Sequence, residues 1–206
     1  MRAVGFKEFG DPEVLEVMDI PEVYANQGEI RIKNYASAVN PTDIVSRSGL
    51  IAQFRKDYPL PAVPGMDISG IVDQVGEGVE TGVSIGDQVM GMVIPNALHG
   101  AYSEQITLNQ FAVVKAPKGF SFVESATLPM NGLTARLSLD LLNLTKGQVV
   151  AVTGGPGAYG GYVIQLAKAD GLIVIADSNE SDIELLRELG VDHIIPRGEN
   201  FAKKIK

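Results

Sequence analysis

Val149-Val150-Ala151-Val152-Thr153-Gly154-Gly155-Pro156-Gly157-Ala158-Tyr159-Gly160 decides the fold. The first four residues are apolar without alternation, the pattern of a strand buried on both faces. Glycines follow at 154, 157 and 160, spaced G-x-x-G-x-x-G rather than G-x-G-x-x-G. The physics of the two spacings is the same: a strand ends, the chain turns sharply, and a helix begins. Glycines let the backbone approach a pyrophosphate, and the helix N-terminal N–H groups meet its charge. No lysine stands where a nucleoside triphosphate loop would need one. A tight turn without a ligand is the plain alternative.

Downstream, Val163, Ile164, Leu166 and Ala167 mark a helix closed by Gly171. Leu172 to Ala176 reads as a second buried strand. Ser181 and Glu184 have capping-box spacing ahead of Leu185, Leu186 and Leu189, and Gly190 ends that helix. His193-Ile194-Ile195 is a third strand, stopped by Pro196. Upstream, Leu133, Leu137, Leu141 and Leu144 recur every three or four residues over Gly132 to Leu144, an amphipathic helix ended by Thr145-Lys146-Gly147. The order β-α-β-α-β is one half of a doubly wound parallel sheet. Asp177 lies 23 residues after Gly154, where an acid can bond an adenosine ribose. A carboxylate there favours NAD over a 2′-phosphate. Equally, Asp177-Ser178-Asn179 is helix-start chemistry.

The residues before Pro117-Lys118-Gly119 differ in character. Glu29 to Lys33 alternates apolar and charged residues, a half-buried strand. Ile68 to Val75, Asp87 to Met92 and Glu104 to Leu108 are similar runs, separated by glycine-rich turns. Pro59, Pro61 and Pro64 exclude a helix between them. A small barrel or rolled sheet is expected over residues 1–121, and an α/β dinucleotide-binding domain over 122–206.

The 206 residues carry 17 Lys+Arg against 25 Asp+Glu, a net charge of −8, which opposes nucleic acid and anionic membrane partners. There is no cysteine, so disulfides, thiolate catalysis and thiolate-bound metals are excluded. Two histidines are too few for a zinc site of His alone, and for a His-plus-carboxylate site the contexts of His99, in a glycine turn, and His193, at the head of an apolar run, argue against a ligand role. The N-terminus does not read as a secretory signal, and no apolar run is long enough to span a membrane.

Across almost the whole chain the sequence resembles the zinc-independent quinone oxidoreductase branch of the medium-chain dehydrogenase/reductase superfamily. The residues that carry the resemblance are Asn40-Pro41-Thr42-Asp43, Arg47-Ser48-Gly49, Pro64-Gly65-Met66-Asp67-Ile68-Ser69-Gly70, Gly76-Glu77-Gly78-Val79, Gly86-Asp87-Gln88-Val89, Ala126-Thr127-Leu128-Pro129, Gly132-Leu133-Thr134-Ala135 and the glycine loop. Zinc alcohol dehydrogenases have Cys where Asn40 stands and His-Glu where Met66-Asp67 stands. The resemblance implies a GroES-like catalytic domain followed by a Rossmann domain, and hydride transfer from NADPH to a quinone or an activated alkene or carbonyl, without a metal. It implies Asn40 and Thr134 beside the nicotinamide, and Gly154, Gly155, Pro156, Gly157, Ala158 and Tyr159 as the pyrophosphate loop. Asp177, Ser178 and Arg197 stand where the adenosine ribose or a 2′-phosphate would be read, with Asp177 leaving NADH open. Ile44 and Val45 depart from the family, which often has a tyrosine there. A cytoplasmic enzyme, homodimeric at full length, is implied.

A complete doubly wound sheet has about six strands and this sequence supplies three, so the chain is expected to be incomplete relative to the functional enzyme. Val149 to Val152 would then be an uncovered apolar edge. A non-catalytic or truncated cofactor-binding remnant is the competing functional reading.

Overall fold

The computed structural model describes residues 1–55, 57–198 and 201–205, with the side chains of 202 and 204 left aside. The chain forms two compact units, Met1–Met130 and the residues from Asn131 onward. The first contains β1 (Arg2–Gly5), β2 (Glu16–Asp19), β3 (Glu29–Ala36), α1 (Pro41–Arg47), β4 (Asp67–Val75), β5 (Gln88–Met92), β6 (Gln105–Asn109), β7 (Val113–Lys115) and α2 (Phe122–Ala126). Helix α3 (Pro129–Leu142) starts at its end and runs on into the second unit. There follow β8 (Val149–Val152), α4 (Ala158–Ala169), β9 (Ile173–Ser178), α5 (Ile183–Glu188), β10 (His193–Pro196) and α6 (Phe201–Lys204).

In the first unit, β1 and β2 form an antiparallel ribbon, and β6-β3-β4-β5-β7 form an antiparallel sheet. The alternation expected of β3 is observed: Ile30 and Ile32 are fully buried, while Lys33 is exposed. They join Ile68, Val72, Val89 and Ile106 in one apolar core. Strand β4 departs from that apolar pattern at its start, where Asp67 and Ser69 are fully buried.

In the second unit the strands are parallel in the order β10-β9-β8. Val150, Val152, Val174 and Ala176 meet Val163 and Ile164 of α4 and Leu186 of α5. Gly171 and Gly190 end α4 and α5 with φ of +77° and +89°, a region that suits glycine.

Three expectations are corrected here. The leucines of α3 do not form its core face: Leu133, Leu137 and Leu141 are 49%, 62% and 86% exposed. Ala135 and Leu139, on the other side, are the buried residues, and the helix begins at Pro129 rather than Gly132. Periodicity reveals a stripe but not which stripe packs. Strand β8 is not buried on both faces: Val150 and Val152 are buried, Val149 is 52% exposed, and among the described residues β8 pairs with β9 alone. The Ser181–Glu184 capping box does not form. A short 3-10 turn, Glu180–Asp182, precedes α5, and the Ser181 hydroxyl donates to Asp182. No helix among the described residues is long and apolar enough to cross a membrane.

Gly160 provides a test of the packing between β8 and α4. It is buried, and a Cβ built there would run into the carbonyl oxygen of Gly154 and the backbone of Gly155. Gly→Ala inside a helix normally gains about 1 kcal/mol, whereas overpacking costs about 1–3 kcal/mol. Backbone cannot retreat as a flexible side chain can, so the clash should win. Gly160→Ala is expected to lower the thermal midpoint, and Gly160→Val to prevent folding, by circular dichroism melts. A wild-type midpoint for Gly160→Ala would contradict this packing.

Candidate functional site

Parallel register gathers the candidate residues of the second unit. Val152 pairs with Ala176, so Asp177 lies level with the residue after β8 and next to the glycine loop. Ile195 pairs with Asp177 and Pro196 with Ser178, so Arg197 emerges beside them. All three strands end on the same side, the side where open parallel sheets bind ligands.

The glycines of the loop have separate local tasks. Gly154 turns the chain at φ +70°. Gly155 is buried, and a Cβ on it would meet Ala176 at 3.0 Å and Leu186 at 3.2 Å. Gly157 is exposed and is the N-cap of α4. A Cβ there meets only the Gly154 carbonyl oxygen, at 3.2 Å, a tight approach that a shift of a few tenths of an ångström relieves. Pro156 is half-buried, and Ala158 and Tyr159 are exposed.

Asp177 is not the cap of a following helix. It ends β9, is 7% exposed, and its Oδ1 accepts the Gly154 amide at 2.6 Å. Its Oδ2 faces Arg197 Nε at 3.3 Å. The Arg197 backbone amide donates to the Ser178 carbonyl, while the buried Ser178 hydroxyl donates to the carbonyl of Asn179. From the other side, Tyr159 Oη donates to Ser138 Oγ at 2.7 Å, and Ser138 donates to the carbonyl of Thr134 at 2.8 Å. The turn of α3 bearing Thr134, itself exposed, is thereby tied to the glycine loop. Sequence reasoning missed the Asp177–Gly154 and Tyr159–Ser138 bonds. The first was legible as an acid at a strand end; the second has no sequence signal, because it joins hydroxyls on two helices.

Asn40 belongs to the first unit. It precedes α1 and is 3% exposed, and its amide nitrogen donates to Asp67 Oδ2 at 2.6 Å. The Met130 amide donates to Asp67 Oδ1, also at 2.6 Å. Burial pushes the Asp67 carboxyl above the ordinary carboxylate range; the bonds from Asn40 and Met130 oppose the shift, and Asp43 adds to it. Asp43 accepts from the backbone amides of Asn40 and Gly65 and from the Tyr102 hydroxyl. Burial, and then the charge of Asp43, push the Tyr102 phenol far up. The positions compared above with zinc ligands therefore hold an amide bonded to a carboxylate and a thioether, Met66, that accepts the Thr42 hydroxyl at 3.1 Å. Among the described residues no three His, Asp or Glu side chains converge as a metal group would require.

Beside this network is a cavity of about 290 Å³. Thr42, Asp43, Val45, Ile51 and Met66 line it, with Arg55, Tyr58 and Ile94. Asn40 is not in its wall. The segment 49–58, which has no readable periodicity, thus supplies three of the lining side chains.

Residues 26–134 match the alcohol dehydrogenase GroES-like domain. The chain is 36% identical over 213 residues to a 2-methylene-furan-3-one reductase of Solanum lycopersicum, covering 98% of this chain and 53% of that protein. It is 33% identical over 203 residues to a chloroplastic NADPH-dependent alkenal/one oxidoreductase of Arabidopsis thaliana, covering 93% and 51%. The solved structure of the quinone oxidoreductase from Coxiella burnetii matches with a TM-score of 0.86 at 31% identity, over 100% of this chain and 65% of that one. The chain spans about half the length of these curated relatives. A GroES-like first unit and a partial Rossmann-like parallel sheet in the second, together with these matches, show that the chain belongs to the medium-chain dehydrogenase/reductase superfamily, in its quinone oxidoreductase branch.

Proposed function

We propose that the protein is an NADPH-dependent, zinc-independent reductase that transfers hydride to a quinone or to an activated alkene or carbonyl. The observation that carries this reading is the loop between β8 and α4. Gly154 is held by Asp177, Gly160 is packed on the strand end, and Gly157 is left open between them. Such a cradle fits a pyrophosphate, because backbone can approach it where a side chain would intrude.

When bound, the nicotinamide cofactor supplies a hydride and water supplies the accompanying proton, so the acceptor gains two hydrogens as the cofactor is oxidised. The chain's own residues bind and orient. Gly154, Gly155, Pro156, Gly157, Ala158 and Tyr159 would hold the pyrophosphate, and Tyr159, through Ser138, steadies the helical turn that carries Thr134. Thr134 and Asn40 are assigned to the nicotinamide and acceptor end on the resemblance. Asn40 acts there with its amide already fixed by Asp67.

The choice of NADPH over NADH rests on Arg197. A free carboxylate at 177 would repel a 2′-phosphate, but both Asp177 oxygens face donors, one of them the Arg197 guanidinium. The Arg197 side chain is still 43% exposed and so can meet a phosphate. A second reading, a cofactor-binding protein without turnover, is favoured by one observation: among the described residues β8 pairs on one side only, and one of its faces is exposed.

Three measurements test these readings. With a panel of quinones and enones, NADPH absorbance at 340 nm should fall; cofactor binding without turnover would select the second reading. Gly157→Val should keep the wild-type melting midpoint within a few degrees yet weaken NADPH binding by roughly tenfold or more, about 1.4 kcal/mol. Undiminished affinity would remove the loop from the site. Arg197→Ala should lower the NADPH-to-NADH affinity ratio about tenfold. An unchanged ratio would mean that Arg197 only neutralises Asp177.

A further inference from the structure

Arg55 is a cation without an anionic partner in a protein that carries eight more acids than bases. Among the described residues no carboxylate comes within ion-pair distance of it, whereas Arg2, Arg31, Arg136, Arg187 and Arg197 each have one. Nevertheless its side chain is held in place. Nη2 donates to Asn96 Oδ1 at 2.8 Å, and the guanidinium carbon lies 5.6 Å from the centroid of the Tyr58 ring. An arginine has five N–H donors in a fixed fork, and the Asn96 bond uses one.

Arg55 and Tyr58 line the 290 Å³ cavity, whose other walls are largely apolar: Val45, Ile51, Met66 and Ile94. The cavity's other charge, Asp43, is turned to the protein. Its oxygens accept from the Asn40 and Gly65 amides and from Tyr102. A cavity of this size admits a small ligand, with an apolar body against the aliphatic wall and one group for the guanidinium. Planar, bidentate recognition by Arg selects a carboxylate above a neutral carbonyl.

We propose that this cavity is the acceptor pocket and that Arg55 makes it selective for a small unsaturated carbonyl compound bearing a carboxylate. This rests on the reductase reading above and narrows its substrate class. Reduction of such an acceptor adds hydride to the β-carbon of the alkene and a proton to the α-carbon, oxidising NADPH to NADP⁺; the carboxylate is unchanged and serves for binding alone. Arg55 is a specificity residue in this scheme and takes no part in moving hydrogen.

Binding of a non-reducible probe separates the two claims. Levulinate, which is 4-oxopentanoate, and its methyl ester differ at the carboxylate and contain no alkene, and titrated without NADPH they cannot be reduced, so their affinities do not depend on turnover. Titrations followed by the ¹³C-labelled methyl of Met66 should show levulinate shifting that resonance and binding about tenfold more tightly than the ester, with Arg55→Gln bringing the two level. Gln can keep the bond to Asn96, and Arg55 is exposed, so the variant should fold as wild type. With acceptors, trans-4-oxo-2-pentenoate should show a lower KM than its methyl ester, and Arg55→Gln should remove that difference. Equal affinities, no effect of Arg55→Gln, or levulinate binding that leaves Met66 unmoved would each overturn the proposal. Levulinate binding as described, with no oxidation of NADPH by any acceptor, would instead overturn the reductase reading and leave the carboxylate site standing.

Discussion

The hydrogen bond from the Gly154 amide to Asp177 Oδ1 fixes the turn that follows β8. It spans neighbouring parallel strands at their carboxyl ends. Because it is charge-assisted and partly buried, it is stronger than an ordinary backbone bond. With Gly154 pinned at positive φ, the chain must re-enter as α4 close above the strand, and only glycine at 160 permits that approach. The open position at Gly157 is what remains between these two constraints. Arg197 then compensates the Asp177 charge from the third strand. One carboxylate thus shapes the glycine loop and, with Arg197, sets the electrostatics beside it.

The strand–turn–helix segment was legible because each of its signals is local. An unbroken apolar run, three spaced glycines and a capped helix all lie within about twenty residues. The short strands of the first unit were legible for the same reason, since period-two alternation and turn residues need no partner to be read. What escaped was orientation and long-range pairing. Leu133, Leu137 and Leu141 make a better stripe than Ala135 and Leu139, yet it is Ala135 and Leu139 that pack into the core of the second unit. Asp177 was readable as a ribose ligand or a cap, but its bond to Gly154 depends on the Val152–Ala176 register, which sequence does not state. Arg55 lay in a segment without periodicity, and its place in a cavity wall comes from contacts with residues far along the chain.

The first unit is organised around a buried polar cluster. Asp67 and Asp43 are both nearly inaccessible, and each is met by two or more donors, from Asn40, Gly65, Tyr102 and Met130. Buried carboxylates without such partners would be strongly destabilising. With them, they fix the start of α1 and the start of β4 relative to one another and hold the Met130 amide. The residues adjacent in sequence, Thr42 and Met66, become cavity wall as a consequence.

The central claim is that the open stretch of the glycine loop, braced by Asp177, receives the cofactor pyrophosphate. An amide ¹⁵N titration of the 206-residue chain with NADPH tests it directly. The account predicts that the largest shifts fall on Gly157, Ala158 and Tyr159, with smaller ones at Gly154 and Arg197. Saturation with the principal shifts elsewhere, or no shift in that loop at saturating NADPH, would contradict it.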